Sequence, residues 1–113
     1  MGVDICSMSA AKIANCISMG ELTAEAVMVS YLDRINARDN VVKSFIDFDA
    51  NRALSLARAS DQQANKGILR GVPFAVKDIF DTFDLPTSWG SPIYSGVQPP
   101  RNASCVELLI RAG

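Results

Sequence analysis

One stretch restricts the fold of this sequence more than any other: Gly71-Val72-Pro73-Phe74-Ala75-Val76-Lys77-Asp78-Ile79-Phe80. An apolar, β-prone run ends there on a charged amine, and residues 72–77 are expected to form a strand. Pro73 stands near the start of that strand, where a missing N–H donor is tolerated. Side chains alternate along a strand, so Phe74, Val76 and Asp78 share one face and Ala75 and Lys77 the other. Asp78 is therefore poorly placed to neutralise Lys77. A lysine facing an enclosed site loses hydration, and its amine then suits general-base work. A lysine at a strand end also reaches into water with no chemical consequence. Spacing alone leaves both roles open.

The preceding residues read as scaffold. Ser9 is placed to cap a helix whose apolar contacts are Ile13, Ala14, Ile17 and Met19, with Gly20 as its stop. Thr23 caps a second helix, with Glu25 near the positive end of its dipole. Val27, Met28, Tyr31, Leu32 and Ile35 recur at helical spacing, leaving Glu25, Asp33, Arg34 and Arg38 wet, and Asp39-Asn40 is its expected end. Residues 44–49 alternate with the period of a half-buried strand. Residues 50–65 predict an Ala-rich helix with Ala53, Leu54, Leu56, Ala57 and Ala64 on its packing side, closed by Lys66-Gly67. After Lys77 the texture changes. Pro86, Pro92, Pro99 and Pro100, with Gly90 and Gly96, predict a long ordered loop over 78–101, and such a loop is more often functional than idle. A last helix follows through Ala112, capped by Asn102 or Ser104, with Ser104-x-x-Glu107 in capping-box form and Gly113 at its C′ position.

The 113 residues suffice for one domain with a modest core. Formal net charge is −1, and Lys and Arg are scattered, so no basic face for nucleic acid or anionic lipid is indicated. No apolar run approaches the roughly 18 residues of a membrane helix. The N-terminus lacks the pattern of a signal peptide, and Cys6 occupies the place where a Gly2 myristoylation signal needs Ser or Thr. Cys6, Cys16 and Cys105 show no C-x-x-C spacing, and the chain holds no His, which removes the commonest metal ligand and general base. Reduced, structural thiols in a cytoplasm are the expectation, with no metal and no cofactor.

Other chemical readings are weaker. Asp78, Asp81 and Asp84 are three apart, but their segment has the residues of turns and no glycine-centred calcium loop. Gly67-Ile68-Leu69-Arg70-Gly71 is not followed by the Gly-Lys-Ser/Thr of a phosphate loop. Asn102-Ala103-Ser104 is a chance glycosylation match in the absence of a secretory signal. Thr87-Ser88-Trp89-Gly90-Ser91-Pro92 gathers hydroxyls near Lys77 without a Gly-x-Ser-x-Gly elbow, and turn formation and capping account for Ser88 and Ser91.

Three blocks taken together resemble the amidase signature family: Gly71 to Asp78, Leu85-Pro86-Thr87-Ser88-Trp89-Gly90-Ser91, and Leu108-Leu109-Ile110-Arg111-Ala112-Gly113. Gly20-Glu21-Leu22-Thr23, Tyr31-Leu32-Asp33-Arg34-Ile35 and Ser44-Phe45-Ile46 are similar to that family's N-terminal helices and first strand. The resemblance implies an α/β class: the N-terminal part of an α/β/α fold with a mixed central sheet. It also implies a Ser–cis-Ser–Lys triad in which Lys77 matches the lysine. One serine attacks the amide carbonyl and the second relays protons to the lysine. Both serines belong to a Gly/Ser-rich segment downstream of the Arg-Ala-Gly block, and no such segment occurs here.

Residues 1–113 are accordingly expected to be an incomplete amidase domain: N-terminal helices, first strands, the lysine strand, a long loop and a closing helix. The chain alone is expected to be inactive, since triad members act as a unit. The parent is expected to hydrolyse a small-molecule or peptidic amide in the cytoplasm, without nucleic acid or membrane, and with homo-oligomerisation through an exposed strand edge as an option. Two other readings stay open: a subunit of a glutamine-dependent amidotransferase acting on charged tRNA, and a non-catalytic amidase-like binding or assembly module.

Overall fold

The computed structural model describes residues 4–64 and 67–113. Among them are four α-helices, α1 (Ala10–Ser18), α2 (Ala24–Val42), α3 (Ala50–Gln62) and α4 (Ser104–Arg111), and two 3₁₀ turns, Ile5–Ser7 and Pro92–Tyr94. The expected third-helix end at Asn65 and its Lys66 stop lie outside the described residues, as do Met1, Gly2 and Val3 of the N-terminal signals.

The helix starts follow capping chemistry. The Ser9 hydroxyl accepts the Lys12 N–H at 3.2 Å, and the Thr23 hydroxyl accepts the Ala26 N–H at 3.0 Å. Asp49 opens α3 by accepting the Arg52 N–H at 2.9 Å. Gly20 follows the C-cap of α1 at φ 75°. The second helix outruns its expected end at Asp39-Asn40 and continues to Val42, where Lys43 takes the left-handed cap at φ 54°. Asp39 instead turns the exit: its carboxylate accepts the N–H groups of Ser44 (2.7 Å) and Phe45 (3.4 Å). The last helix has Ala103 as N-cap with no side-chain cap bond, in place of Asn102 or Ser104. Asn102 is engaged elsewhere, accepting the Phe83 N–H at 2.8 Å and donating to Glu107 Oε1 at 2.7 Å.

The core lies where α1, α2 and α3 meet. Ile13, Ile17, Ala24, Val27 and Ala57 are buried, with Ile5, Met8, Leu22, Met28, Tyr31 and Val72 packed around them. Val27 is fully enclosed, worth about 1.5–3 kcal/mol of transfer free energy. Leu56 and Met19, expected inside, are each 55% exposed. Polar groups lock the helix pair. The Asp61 carboxylate of α3 accepts the N–H groups of Ala24 (2.7 Å) and Glu25 (3.0 Å), two of the donors that the start of α2 leaves without intrahelical partners. Arg58 and Glu25 form an exposed ion pair at 2.8 Å beside it.

The expected α/β class with a mixed central sheet is overturned: the described residues contain helices and loops and no strand. Residues 44–49 and 72–77 are irregular in hydrogen bonding. A strand is a paired object, whose N–H and C=O groups need a neighbouring ladder, and neither segment meets one. In the first, Asp39 takes the N–H groups of Ser44 and Phe45. In the second, Phe74, Ala75 and Val76 make no backbone hydrogen bond to any described residue. The nearest thing to a ladder is Leu69 N–H to Ala112 O and Gly71 N–H to Gly113 O, each 2.8 Å, which seats the end of α4 on residues 67–71.

The radius of gyration, 14.8 Å, exceeds the ~13 Å of a compact chain of this length, and the extents are 46 × 33 × 21 Å. A thin body encloses little, so Ile68, Ile93 and Leu108 remain exposed.

Candidate active site around Lys77

Gly71 sets the entry to the site. Its φ is 69°, a left-handed value open to glycine, and a Cβ there would lie 2.7 Å from Ala24 Cβ and 2.9 Å from Ile17 Cδ1. The segment thus leaves the core at a point where α1 and α2 allow no side chain. It continues through half-buried Val72 and Pro73 to Lys77, which is exposed. No carboxylate among the described residues pairs with the Lys77 amine. The enclosed setting that base chemistry asks for is not formed by the described residues. A surface cleft of about 410 Å³ runs past Asn15, Ser18 and Arg70, and another of about 210 Å³ past Arg34, Val42 and Phe45. Lys77 lines neither, and the motif around it, rather than cleft size, makes it the candidate.

Immediately after Lys77 the chain is tightly held. The Lys77 carbonyl accepts the N–H groups of Ile79 (2.7 Å) and Phe80 (3.0 Å). The Asp78 carboxylate accepts the Ser88 N–H at 2.7 Å, the Ser88 hydroxyl, and the Gly90 N–H at 3.2 Å. Trp89 (φ 52°) and Gly90 (φ 72°) are both left-handed, which turns successive N–H groups towards that carboxylate. The Ser88 hydroxyl first, then the N–H groups of Ser88, Gly90 and Trp89, hold the Asp78 carboxyl below the usual carboxylate range, against a smaller opposing effect of burial.

Beneath this clamp sits a buried pair of threonines. Thr87 is 1% exposed and Thr82 8%. The Thr87 hydroxyl accepts the Thr82 N–H at 3.3 Å and donates to Phe80 O at 3.5 Å, and the Thr82 hydroxyl donates to Leu85 O at 3.0 Å. Thr87 N–H reaches Val97 O at 2.9 Å, Gln98 Nε2 donates to Phe83 O, and Ala103 N–H donates to Asp81 O at 2.9 Å. The proline-rich stretch 78–101 is therefore an ordered loop, as its composition predicts. Ser91 caps the Pro92–Tyr94 turn, and Trp89 meets Tyr94 edge to face at 5.2 Å.

The structure separates the residues that spacing grouped. Asp78 turns to Ser88 and Gly90, and Asp84 pairs with Arg52 at 2.9 Å. Among the described residues no three Cys, Asp or Glu side chains form a metal-holding group. Cys16 is buried, and burial raises its thiol pKa, away from the thiolate needed for nucleophilic work. The clamping role of Asp78 went unread in the sequence. Its signal was local: an aspartate ten residues ahead of a Ser-Trp-Gly turn is a natural acceptor for turn N–H groups.

The amidase family profile matches residues 26–113. The A subunit of the glutamyl-tRNA(Gln) amidotransferase of Salinispora arenicola is 41% identical over 97% of this chain and 23% of its own length. Its counterpart in Streptomyces coelicolor is 44% identical over 94% of this chain and 22% of its own length, and that in Chloroflexus aggregans 38% over 95% and 22%. The chain spans less than a quarter of the length of these relatives. Their names refer to tRNA, which overturns the expectation that no nucleic acid is involved. That expectation rested on scattered Lys and Arg, and the charge pattern of so short a length says nothing of contacts made by the remainder of a relative. No described helix is long and apolar enough to cross a membrane. By the span of the profile match and by these identities, the chain belongs to the amidase signature family.

Proposed function

We propose that this polypeptide is the N-terminal portion of the A subunit of a glutamine-dependent amidotransferase that acts on charged tRNA in the cytoplasm. The observation that carries this reading is the 41% identity to such a protein over 97% of the chain. In this reading residues 1–113 are an incomplete amidase domain, and Lys77 is its base. The two serines of the triad come from polypeptide outside these residues: one attacks the amide carbon of glutamine, and the other carries its proton towards Lys77. As the serine is acylated the proton returns to the departing nitrogen and ammonia leaves; water then frees glutamate from the serine, and the ammonia displaces the activating group from the glutamyl carboxyl on the tRNA. The rigid 78–101 loop supports one wall of the site and leaves the lysine side open for the remainder of the domain. A hydrolase whose released amine or ammonia has no acceptor is the second reading, favoured by the amidase profile itself.

The test is Lys77→Met in the full-length protein within its assembled enzyme. Glutamine hydrolysis and conversion of glutamyl-tRNA to glutaminyl-tRNA should both fall by about 10³-fold or more, since a triad loses its function with any member. Retention of glutamine hydrolysis would remove Lys77 from the mechanism. Amide hydrolysis by the unsubstituted enzyme with no product on tRNA would favour the hydrolase.

A further inference from the structure

We propose that Asp78 is the positioning residue for Lys77, fixing the lysine's backbone through the 88–90 turn. The proposal rests on the reading of Lys77 as the base and adds how the fold holds it. On the N-terminal side of Lys77, residues 74–76 make no backbone hydrogen bond to any described residue, so no backbone hydrogen bond there fixes the lysine's direction. On its C-terminal side the anchoring is dense. The Lys77 carbonyl takes two N–H groups, and the next side chain, Asp78, reaches ten and twelve residues ahead to two N–H groups and a hydroxyl. The receiving turn is fixed in its own right, by the buried Thr87 hydroxyl on Phe80 O and the Thr87 N–H on Val97 O. Lys77 is therefore anchored chiefly from its C-terminal side. The charged support there is the Asp78 clamp, beside the neutral Thr87 bond to Phe80 O, and charge-assisted bonds of this kind are about twice as strong as neutral ones.

The placement has a chemical use. A base held on one side by a rigid loop and free on the other is accessible to hydroxyls brought by the rest of the domain. Its reach is set by the clamp rather than by contacts of its own amine. Small misplacements of such a group are costly in rate.

Residue-resolved amide hydrogen exchange on the full-length protein in its assembled enzyme tests the anchoring. The N–H groups of Ser88, Gly90, Ile79 and Phe80 should be protected, and Asp78→Asn should speed exchange at all four by about tenfold or more while Val27 in α2 keeps its rate. Acceleration confined to Ser88 and Gly90 overturns the proposal, because Lys77's turn would then stand without the clamp. Absence of protection at Ile79 and Phe80 in the unsubstituted chain overturns it too. So does equal acceleration at Val27, which would make Asp78 a support of the whole fold. In the assembled enzyme Asp78→Asn should lower kcat by about tenfold or more with KM unchanged, the split expected when a reacting group is displaced; an unchanged kcat overturns the proposal. Lys77→Met, run alongside, should leave the exchange pattern intact. If that variant keeps its kcat, the base reading fails while the exchange pattern still decides what Asp78 holds.

Discussion

Replacing Gly71 by alanine should destabilise the chain far more than its single added methyl suggests. Two separate costs arise. At φ 69° an L-residue takes a left-handed conformation, worth about 1–2 kcal/mol. The new Cβ also lies 2.7 Å from Ala24 Cβ and 2.9 Å from Ile17 Cδ1, inside contact distance of two core residues, and overpacking of this kind costs about 1–3 kcal/mol. The sum is about 2–5 kcal/mol, a large part of the stability of a small domain. Gly20 isolates the second cost, since its φ is 75° and no atom lies within 4 Å of a Cβ built there. Gly20→Ala carries the backbone strain alone, and both variants share the same entropic gain from stiffening the unfolded chain. Urea unfolding followed by circular dichroism should place the Gly71→Ala midpoint below that of Gly20→Ala by on the order of 1 M, for a slope of about 1–3 kcal/mol per molar. Equal midpoints for the two variants would refute the reasoning, because the clash with α1 and α2 would then be absent.

The Asp61 clamp on α2 is the next to test. Asp61→Ala takes the acceptor from the N–H groups of Ala24 and Glu25 at the start of α2 and should cost about 0.5–2 kcal/mol, read as a lowered thermal midpoint. An unchanged midpoint would show that the start of α2 does not depend on α3. Asp78 gives the chain an acid limb. Its folded carboxyl is held below the ordinary value of about 3.9, so its contribution is complete above that pH and is lost as pH falls through the lower folded value. Unfolding free energy measured across that range should decline less steeply in Asp78→Asn, and identical slopes would assign the limb to other carboxylates.

Helices were the most legible part of the sequence, because their signals lie within a turn or two. Ser9 and Thr23 cap where their hydroxyls predict, and Val27 is buried on the periodic apolar face. Failures came where a side chain had a distant claimant. Asn102 read as a cap and is taken by Phe83, nineteen residues away. The two expected strands failed because alternation and β-propensity describe what a segment offers, while a strand also needs a ladder from elsewhere.

By itself, then, the sequence determined the helical scaffold and the ordered loop over 78–101, since periodicity and proline content are local properties. Tertiary structure alone decided that Asp61 caps α2 from thirty-seven residues away, that Gly71 admits no Cβ, and that Asp78 faces Ser88 and Gly90. Each is a meeting of groups distant in the chain, set by helix packing and loop closure, which no short window of sequence records.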